Sequence, residues 1–293
     1  MDKFQPRCYP CALRRALCTA EKVSEDSWLQ HKVIDEAMRK LSEVEDHLPP
    51  AEVMGELLCS VHEVLGTADP WKKQREFWVQ EMTEALPDLR QRIADDEDSL
   101  GRALLVSARA NVFANEIQNT NSIRQDLLKF GLRPSDPADQ EFRHDDRGDF
   151  EKLLSSAKNL VFVHDTAPEL PADLALLEVL SAQNPQMLIT QVIKNSRLAL
   201  NDLGQLLSDS GPLVPQGIVL ETDSPLGLSA DDWSHEIASA FESADVVILK
   251  GASHLQTLTG SKWPAFGLLR AKCPVTASAY QCSIGDLLFI RAN

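Results

Sequence analysis

Over roughly the first 130 residues, apolar positions recur every three to four residues. From about residue 150 they gather instead into short runs separated by amphipathic stretches. In "SWLQHKVIDEAMRKLSEVEDHL", Leu29, Val33, Ala37, Met38, Leu41 and Val44 fall on one stripe, which predicts a helix. Pro49 and Pro50 end it, "PAEVMGELLCSVHEVLG" resumes the spacing, and Gly66 reads as its C-cap. "DPWKKQREFWVQEMTEALPDLRQRI" and "DSLGRALLVSARANVFANEI" continue in the same way. β-branched residues are sparse and no alternating run occurs, so no strand is predicted before residue 130.

The stretch "GLRPSDPADQEFRHDDRGD" breaks this rhythm with Pro, Gly and charge. The chain therefore divides into an N-terminal helical domain (1–130), a connection (131–150) that holds at most a short strand or turn, and a third segment (151–293). In that segment "NLVFVHD", "QMLITQVIK", "GIVLET", "DVVILKG", "CPVTASA" and "DLLFIRA" read as strands. "PADLALLEVLSAQ", "LNDLGQLLSDS", "ADDWSHEIASAFESA" and "LQTLTGSKWPAFGLLRA" read as helices between them. Near-continuous apolar strands alternating with helices predict an α/β fold with a mainly parallel sheet covered on both faces. Such sheets bind ligands beyond the carboxyl ends of their strands.

Polar residues collect at those ends. His164, Asp165, Thr166 and Glu169 follow the first strand, and Lys194, Asn195, Asn201 and Asp202 the second. Thr222, Asp223 and Ser224 follow the third, and Lys250, Gly251, Ser253 and His254 the fourth. A carboxylate directly after the apolar run "LVFV" is costly unless something compensates it. Asp165 and Asp202 are hard oxygen donors on successive loops and suit a divalent cation such as Mg²⁺ or Mn²⁺. Such an ion polarises a phosphoryl oxygen and activates water, Lys250 would neutralise developing charge, and Asn201 would donate or accept beside it. Taken alone, Asp165 reads as an N-cap for the helix that follows, and Asn201 or Asp202 as caps of the next. No G-x-S-x-G elbow, G-x-G-x-x-G turn or Walker A loop follows any strand.

Charge narrows the partners. The net charge is −15, which repels phosphate backbones and argues against nucleic acid. No apolar run reaches the roughly 20 residues of a membrane span. The opening "MDKFQPRCYPC" lacks the apolar core of a secretory leader. A cytoplasmic protein without membrane partners is expected, its six cysteines as thiols rather than a disulfide framework. Cys8 and Cys11 form a lone C-x-x-C, which is half a zinc site.

The residues resemble a family, the metal-dependent damage-control phosphatases, or ARMT-like proteins, and among them the subgroup that opens with C-x-x-C. The resemblance runs nearly end to end through "CYPCALRRAL", "GTADPWKKQREFWVQEM", "DSLGRALLVSARANVFANEI", "HDTAPELPAD", "VIKNSRLALND", "VVILKGASHLQTL" and "KCPVTASAYQCSIGDLLFI". It implies a helical domain on an α/β/α three-layer, Rossmann-like sandwich, with a divalent ion (Mn, Mg, Ni or Co) at the strand ends. The implied activity is hydrolysis of small phosphorylated metabolites such as sugar phosphates.

Carried over residue by residue, the resemblance implies metal ligation by Asp165, Thr166, Asn201 and Asp202, and catalysis by Glu169, Asp173 and Lys250. Glu169 or Asp173 would orient the attacking water. Substrate would meet Asn111, Lys194, Lys250, Gly251 and His254, and, from their place after the third strand rather than from the resemblance, Asp223 and Ser224. Four positions depart from the family pattern. Thr166 replaces an asparagine, Pro168 a glycine, Ala114 an aspartate and His254 an asparagine. His254, together with His164, would soften the site toward Mn²⁺, Ni²⁺ or Zn²⁺. The alternative these departures support is a diverged member, non-catalytic or of altered chemistry, that binds a small anionic ligand or a protein partner.

Overall fold

The computed structural model describes residues 3–45, 47–66, 69–114, 141–203, 217–229, 233–258 and 262–292. Helices α1 (Cys8–Val23), α2 (Ser27–Ser42), α3 (Pro50–Leu65), α4 (Lys72–Ala94) and α5 (Ser99–Ala110) come first. The caps follow the chemistry of the sequence. Asp26 accepts from the Trp28 N–H, Pro50 sits in the first turn of α3, and left-handed Gly66 closes it. On α2 the stripe holds at Val33, Ala37 and Leu41, which are buried, whereas Met38 is exposed.

The sheet has seven strands among the described residues: β1 (His144–Asp145), β2 (Asn159–Val163), β3 (Leu188–Lys194), β4 (Gly217–Thr222), β5 (Val246–Lys250), β6 (Ala265–Arg270) and β7 (Leu287–Arg291). Their order is β1-β7-β6-β5-β2-β3-β4, and every pairing is parallel except β6 with β7. Five further helices are α6 (Arg147–Leu154), α7 (Leu170–Gln183), α8 (His235–Glu242), α9 (Gly251–Leu258) and α10 (Pro274–Ala279).

The strand pattern explains the layers. In β2, Leu160 and Phe162 enter one core while Val161 and Val163 enter another; Val246 and Ile248 against Val247 and Leu249 repeat this in β5. A strand buried on both faces has no polar side, so its sequence runs apolar without alternation. The first core is closed by α4, α5, α6 and α7, through Trp78, Leu104, Phe150 and Leu176. The second is closed by α8 and α9, with Trp233 stacked on Phe241 and Trp263 meeting it edge to face. Helices α1–α3 form a separate cluster that also takes in Leu198 and Val275. The fourth and fifth helices of the N-terminal segment thus share the core of the sheet.

Two elements near the C-terminus differ from expectation. "CPVTASA" was expected as a strand and is helix α10, and "AFGLLR" was expected within a helix and is strand β6. Pro274 lies in the first turn of α10, where a missing N–H costs nothing, and the Cys273 sulfur accepts from the Thr276 N–H as a cap. "AFGLLR" is a short unbroken apolar run, whose spacing does not separate strand from helix. Gly267 has no side chain because Leu255 of α9 packs onto that point. The helix expected over "LNDLGQLLSDS" is absent at residues 201–203, and its remainder lies outside the described residues.

Candidate active site

From β2 the chain passes to β3 and β4 on one side, then crosses back to β5 on the other. The strand order reverses between β2 and β5, where open parallel sheets leave a crevice at their carboxyl ends. Asp165, two residues beyond β2, meets Gly251, the first residue after β5, at that point. Gly251 has φ +77°, and a Cβ there would fall within the Asp165 carboxylate and 3.3 Å from Asn111 Nδ2. Glycine is therefore required twice, for its left-handed backbone and for the space.

Asn111 caps α5 and reaches into the same crevice. Its amide Nδ2 donates to Asp165 Oδ2 at 3.0 Å and to both oxygens of Glu169 at 3.1 Å. Its Oδ1 accepts from the Arg270 N–H at 3.3 Å, which fixes the amide orientation. Thr166 Oγ1 donates to Glu169 Oε1 at 2.8 Å. Thr166, not Asp165, occupies the N-cap of the 3₁₀ turn Ala167–Glu169 that leads into α7. Asp173, in the first turn of α7, accepts from Ser107 Oγ at 2.6 Å and lies 3.0 Å from His164 Nδ1.

Three lysines answer the three acids. Lys250 Nζ donates to Asp173 Oδ1 (2.5 Å), to Glu169 Oε2 (2.9 Å) and to the Ser107 carbonyl (2.9 Å), which engages all three of its hydrogens. Lys194 Nζ donates to His254 Nε2 at 2.7 Å, and stands 3.5 Å from the His164 carbonyl and 3.7 Å from Asp165 Oδ1. Lys272 Nζ donates to the Asn111 carbonyl at 2.8 Å and remains partly exposed. All the others are buried, and Glu169, Asp173, Lys250 and His254 have no exposure at all.

Burial raises the cost of charge for each acid, and the lysines decide the outcome. For Asp165 burial acts upward, but Lys194 and Lys272 outweigh it and hold the acid at about 2. For Glu169 burial dominates, Asp165 and Asp173 add to it, and the group is pushed up despite Lys250. For Asp173 burial is outweighed by Lys250 and His164, and the group is held down. Lys250 is raised because Asp173 and Glu169 overcome its burial, whereas burial lowers Lys194 despite Asp165. His254 is pushed down to about 3 by burial and by Lys194.

The structure thus brings Asn111, Asp165, Thr166, Glu169, Asp173, Lys194, Lys250, Gly251 and His254 into one network. The other expected residues make different contacts. Asp202 lies 3.5 Å from Arg75 and 3.8 Å from Arg197, and Arg75 also pairs with Asp69 at 2.5 Å. Asn201 Nδ2 donates to the Pro225 carbonyl at 3.3 Å. Both sit on a loop turned by Ala199 (φ 56°) and tied down by Leu200, whose carbonyl accepts from the Ala167 N–H at 2.8 Å. A non-glycine residue in that region is a local strain of about 1–3 kcal/mol. Asp223 is exposed, and Ser224 is buried against Thr222. The Ala114 side chain lies outside the described residues.

Sequence reasoning passed over Ser107, Lys272 and Arg75, and noted Ser253 at a strand end without giving it a role. Ser107 lies one helical turn before Asn111 on α5, a spacing that carries a signal. Arg75 lies in the quoted "DPWKKQR" stretch. Lys272 becomes visible only through strand order.

The donor set has a definite character. Of the six carboxylate oxygens of Asp165, Glu169 and Asp173, Asp165 Oδ1 has the longest contacts, 3.5 Å to Ser253 Oγ and 3.7 Å to Lys194 Nζ. A buried, ionised oxygen of this kind suits a hard cation. Among the described residues no group of three or more His, Cys, Asp or Glu could hold a metal. A site of one or two carboxylates, completed by neutral oxygens, water and substrate, is the arrangement Mg²⁺ takes.

The model of the damage-control phosphatase ARMT1-like domain matches residues 4–288. The chain belongs to the ARMT1-like damage-control phosphatase family. A damage-control phosphatase of Archaeoglobus fulgidus is 25% identical over 292 residues, spanning 98% of each chain. A damage-control phosphatase of Pyrococcus horikoshii is 23% identical over 302 residues, spanning 99% of this chain and 98% of its own. The crystal structure of a DUF89 family protein from Pyrococcus horikoshii superposes with a TM-score of 0.84, at 21% identity and over 100% of both chains, and so shares the fold. Damage-control phosphatases act on small phosphorylated substrates, the family is generally metal-dependent, and a phosphatase-type function on damaged metabolites follows from membership. No described helix of this phosphatase-family chain is long and apolar enough to cross a membrane.

Proposed function

We propose that the protein is a metal-dependent phosphatase of small phosphorylated metabolites, with its reaction centre at Asp165. The observation that carries this reading is the state of that carboxylate. Its pKa is held down to about 2 by Lys194 and Lys272, it is buried where the strand order reverses, and among the described residues no donor approaches its Oδ1 closer than 3.5 Å. Asp165 would hold the ion (Mn²⁺, Mg²⁺, Ni²⁺ or Co²⁺), its shell completed by water and substrate oxygens; of the other expected donors, Thr166 is turned to Glu169, Asn201 to the Pro225 carbonyl and Asp202 to Arg75. Bound there, the ion supplies charge stabilisation to the phosphoryl oxygens and lowers the pKa of water.

The protein's own groups divide the remaining work. Glu169, raised by burial, is suited to take the proton of the attacking water. Asp173, held down beside it, stays ionised; neighbouring acids driven apart in this way mark acid–base pairs. Lys250, with all three hydrogens engaged, orients Glu169 and Asp173. The partly exposed Lys272 is the cation best placed to meet an incoming phosphate. Asn111 holds Asp165 and Glu169 at a fixed separation.

A panel of sugar phosphates and related monoesters, assayed with each of the four ions and with a chelator, tests this reading. Phosphate release that needs an ion and fails in Asp165→Asn is the expected result. No release with any ion would favour the second reading, a diverged member that binds an anion or partner without hydrolysis. That reading is supported by Thr166, whose hydroxyl is directed to Glu169, and by Asp202, whose carboxylate faces Arg75.

A further inference from the structure

His254 bridges two strand ends across β2. Its Nδ1 lies 2.5 Å from the Lys250 carbonyl, which can only accept, so Nδ1 carries the hydrogen. Its Nε2 lies 2.7 Å from Lys194 Nζ, an ammonium that can only donate, so Nε2 offers its lone pair. The imidazole is therefore neutral and locked in one tautomer by its two partners. It is fully buried and lies on the first turns of α9, with Lys250 one helical turn before it.

The consequence falls on Lys194. A lysine ammonium beside a buried carboxylate closes to about 2.7–2.9 Å when nothing restrains it. Lys194 instead stops 3.7 Å from Asp165 Oδ1, with its short bond going to His254 and a longer one to the His164 carbonyl. We infer that His254 is a positioning residue that draws Lys194 away from Asp165 and so keeps the Oδ1 oxygen open to a divalent cation. Without that acceptor, the ammonium would settle on Oδ1 and compete with the ion for the same oxygen. The inference rests on the proposed metal-dependent reading of this site and adds to it a reason for histidine at residue 254. An asparagine carbonyl can accept the same hydrogen, so asparagine at residue 254 is expected to hold Lys194 in the same way.

The test is a titration of melting temperature and of calorimetric heat with Mn²⁺, on wild type, His254→Leu, His254→Asn and the double variant Lys194→Met/His254→Leu. His254→Leu should weaken Mn²⁺ affinity by about 10-fold to 100-fold, the range for residues that support a metal ligand. His254→Asn should keep wild-type affinity within about 3-fold. The double variant should recover it, because the competing ammonium is gone. If His254 only fills space, His254→Leu will melt lower without ion, yet bind Mn²⁺ as wild type does, and the inference is overturned. Failure of the double variant to recover affinity overturns it also. Wild type that neither gains stability nor releases heat with Mn²⁺, Mg²⁺, Ni²⁺ or Co²⁺ would overturn the metal-dependent reading itself, and this inference with it.

Discussion

Gly251 lies against the carboxylate of Asp165 so closely that a single methyl group at residue 251 would occupy the space of that carboxylate. The turn that ends β5 and the acid that follows β2 are thus one steric unit. Gly251→Ala should cost about 1–2 kcal/mol from the left-handed backbone alone. The displacement of Asp165 comes on top of that. Thermal unfolding should show the destabilisation, and any ion-dependent rise in melting temperature should be lost together with phosphate release. A Gly251→Ala protein of unchanged stability and activity would contradict the packing described.

Lys250 is the only described cation in contact with both Glu169 and Asp173. Removing one partner of a buried ion pair leaves uncompensated charge and costs about 3–5 kcal/mol. Lys250→Met should fall in that range by urea denaturation. Lys272→Met should behave differently, since its ammonium is partly exposed, donating to the Asn111 carbonyl at the mouth of the crevice. Its stability should change by less than about 1 kcal/mol. Its KM for a phosphorylated substrate should rise far more than its kcat falls.

Acid should weaken the protein through His254. Burial and Lys194 push it down to about 3 in the folded protein, from an ordinary 6.5, so the unfolded chain takes up the proton first. The contribution is fully present above pH 6.5 and is lost as pH falls from 6.5 toward 3. The slope from this one group is at most about 1.4 kcal/mol per pH unit. Denaturation curves between pH 7 and pH 5 should be steeper in pH for wild type than for His254→Asn. Parallel curves would mean that the imidazole is not held neutral.

Asp165 titrates lower. Its folded pKa is about 2, against 3.8, so its contribution to stability exists above pH 3.8 and disappears as pH falls through about 2. Asp165→Asn should flatten the stability curve in that window alone. At neutral pH the same variant should lose any gain in melting temperature from Mn²⁺, which measures binding to the folded state. Retention of that gain would place the ion elsewhere.

Sequence periodicity determined the helices α2–α5, the strands β2–β5 and β7, and the accumulation of polar residues at the strand ends. Each is a local property, since a stripe at helical spacing or a doubly buried strand is written into consecutive residues. The family was legible too, because its motifs keep their order over nearly the whole chain. The C-terminal run was not, because "AFGLLR" and "CPVTASA" are too short for periodicity to separate strand from helix. Only strand pairing settled it, by placing β6 between β5 and β7.

The division of labour among the charges also lay beyond the sequence. Lys194 and Lys250 read alike, each a lysine ending an apolar strand. Folded, Lys250 is encircled by two carboxylates and a carbonyl, while Lys194 is held by an imidazole at a distance from its acid. Asp165 and Asp202 likewise read as a pair, yet one faces lysines and the other arginines. Which charges meet is decided by strand order and by where α4 and α5 dock. Electrostatic energy depends on separation in space, which the spacing of residues along the chain does not encode.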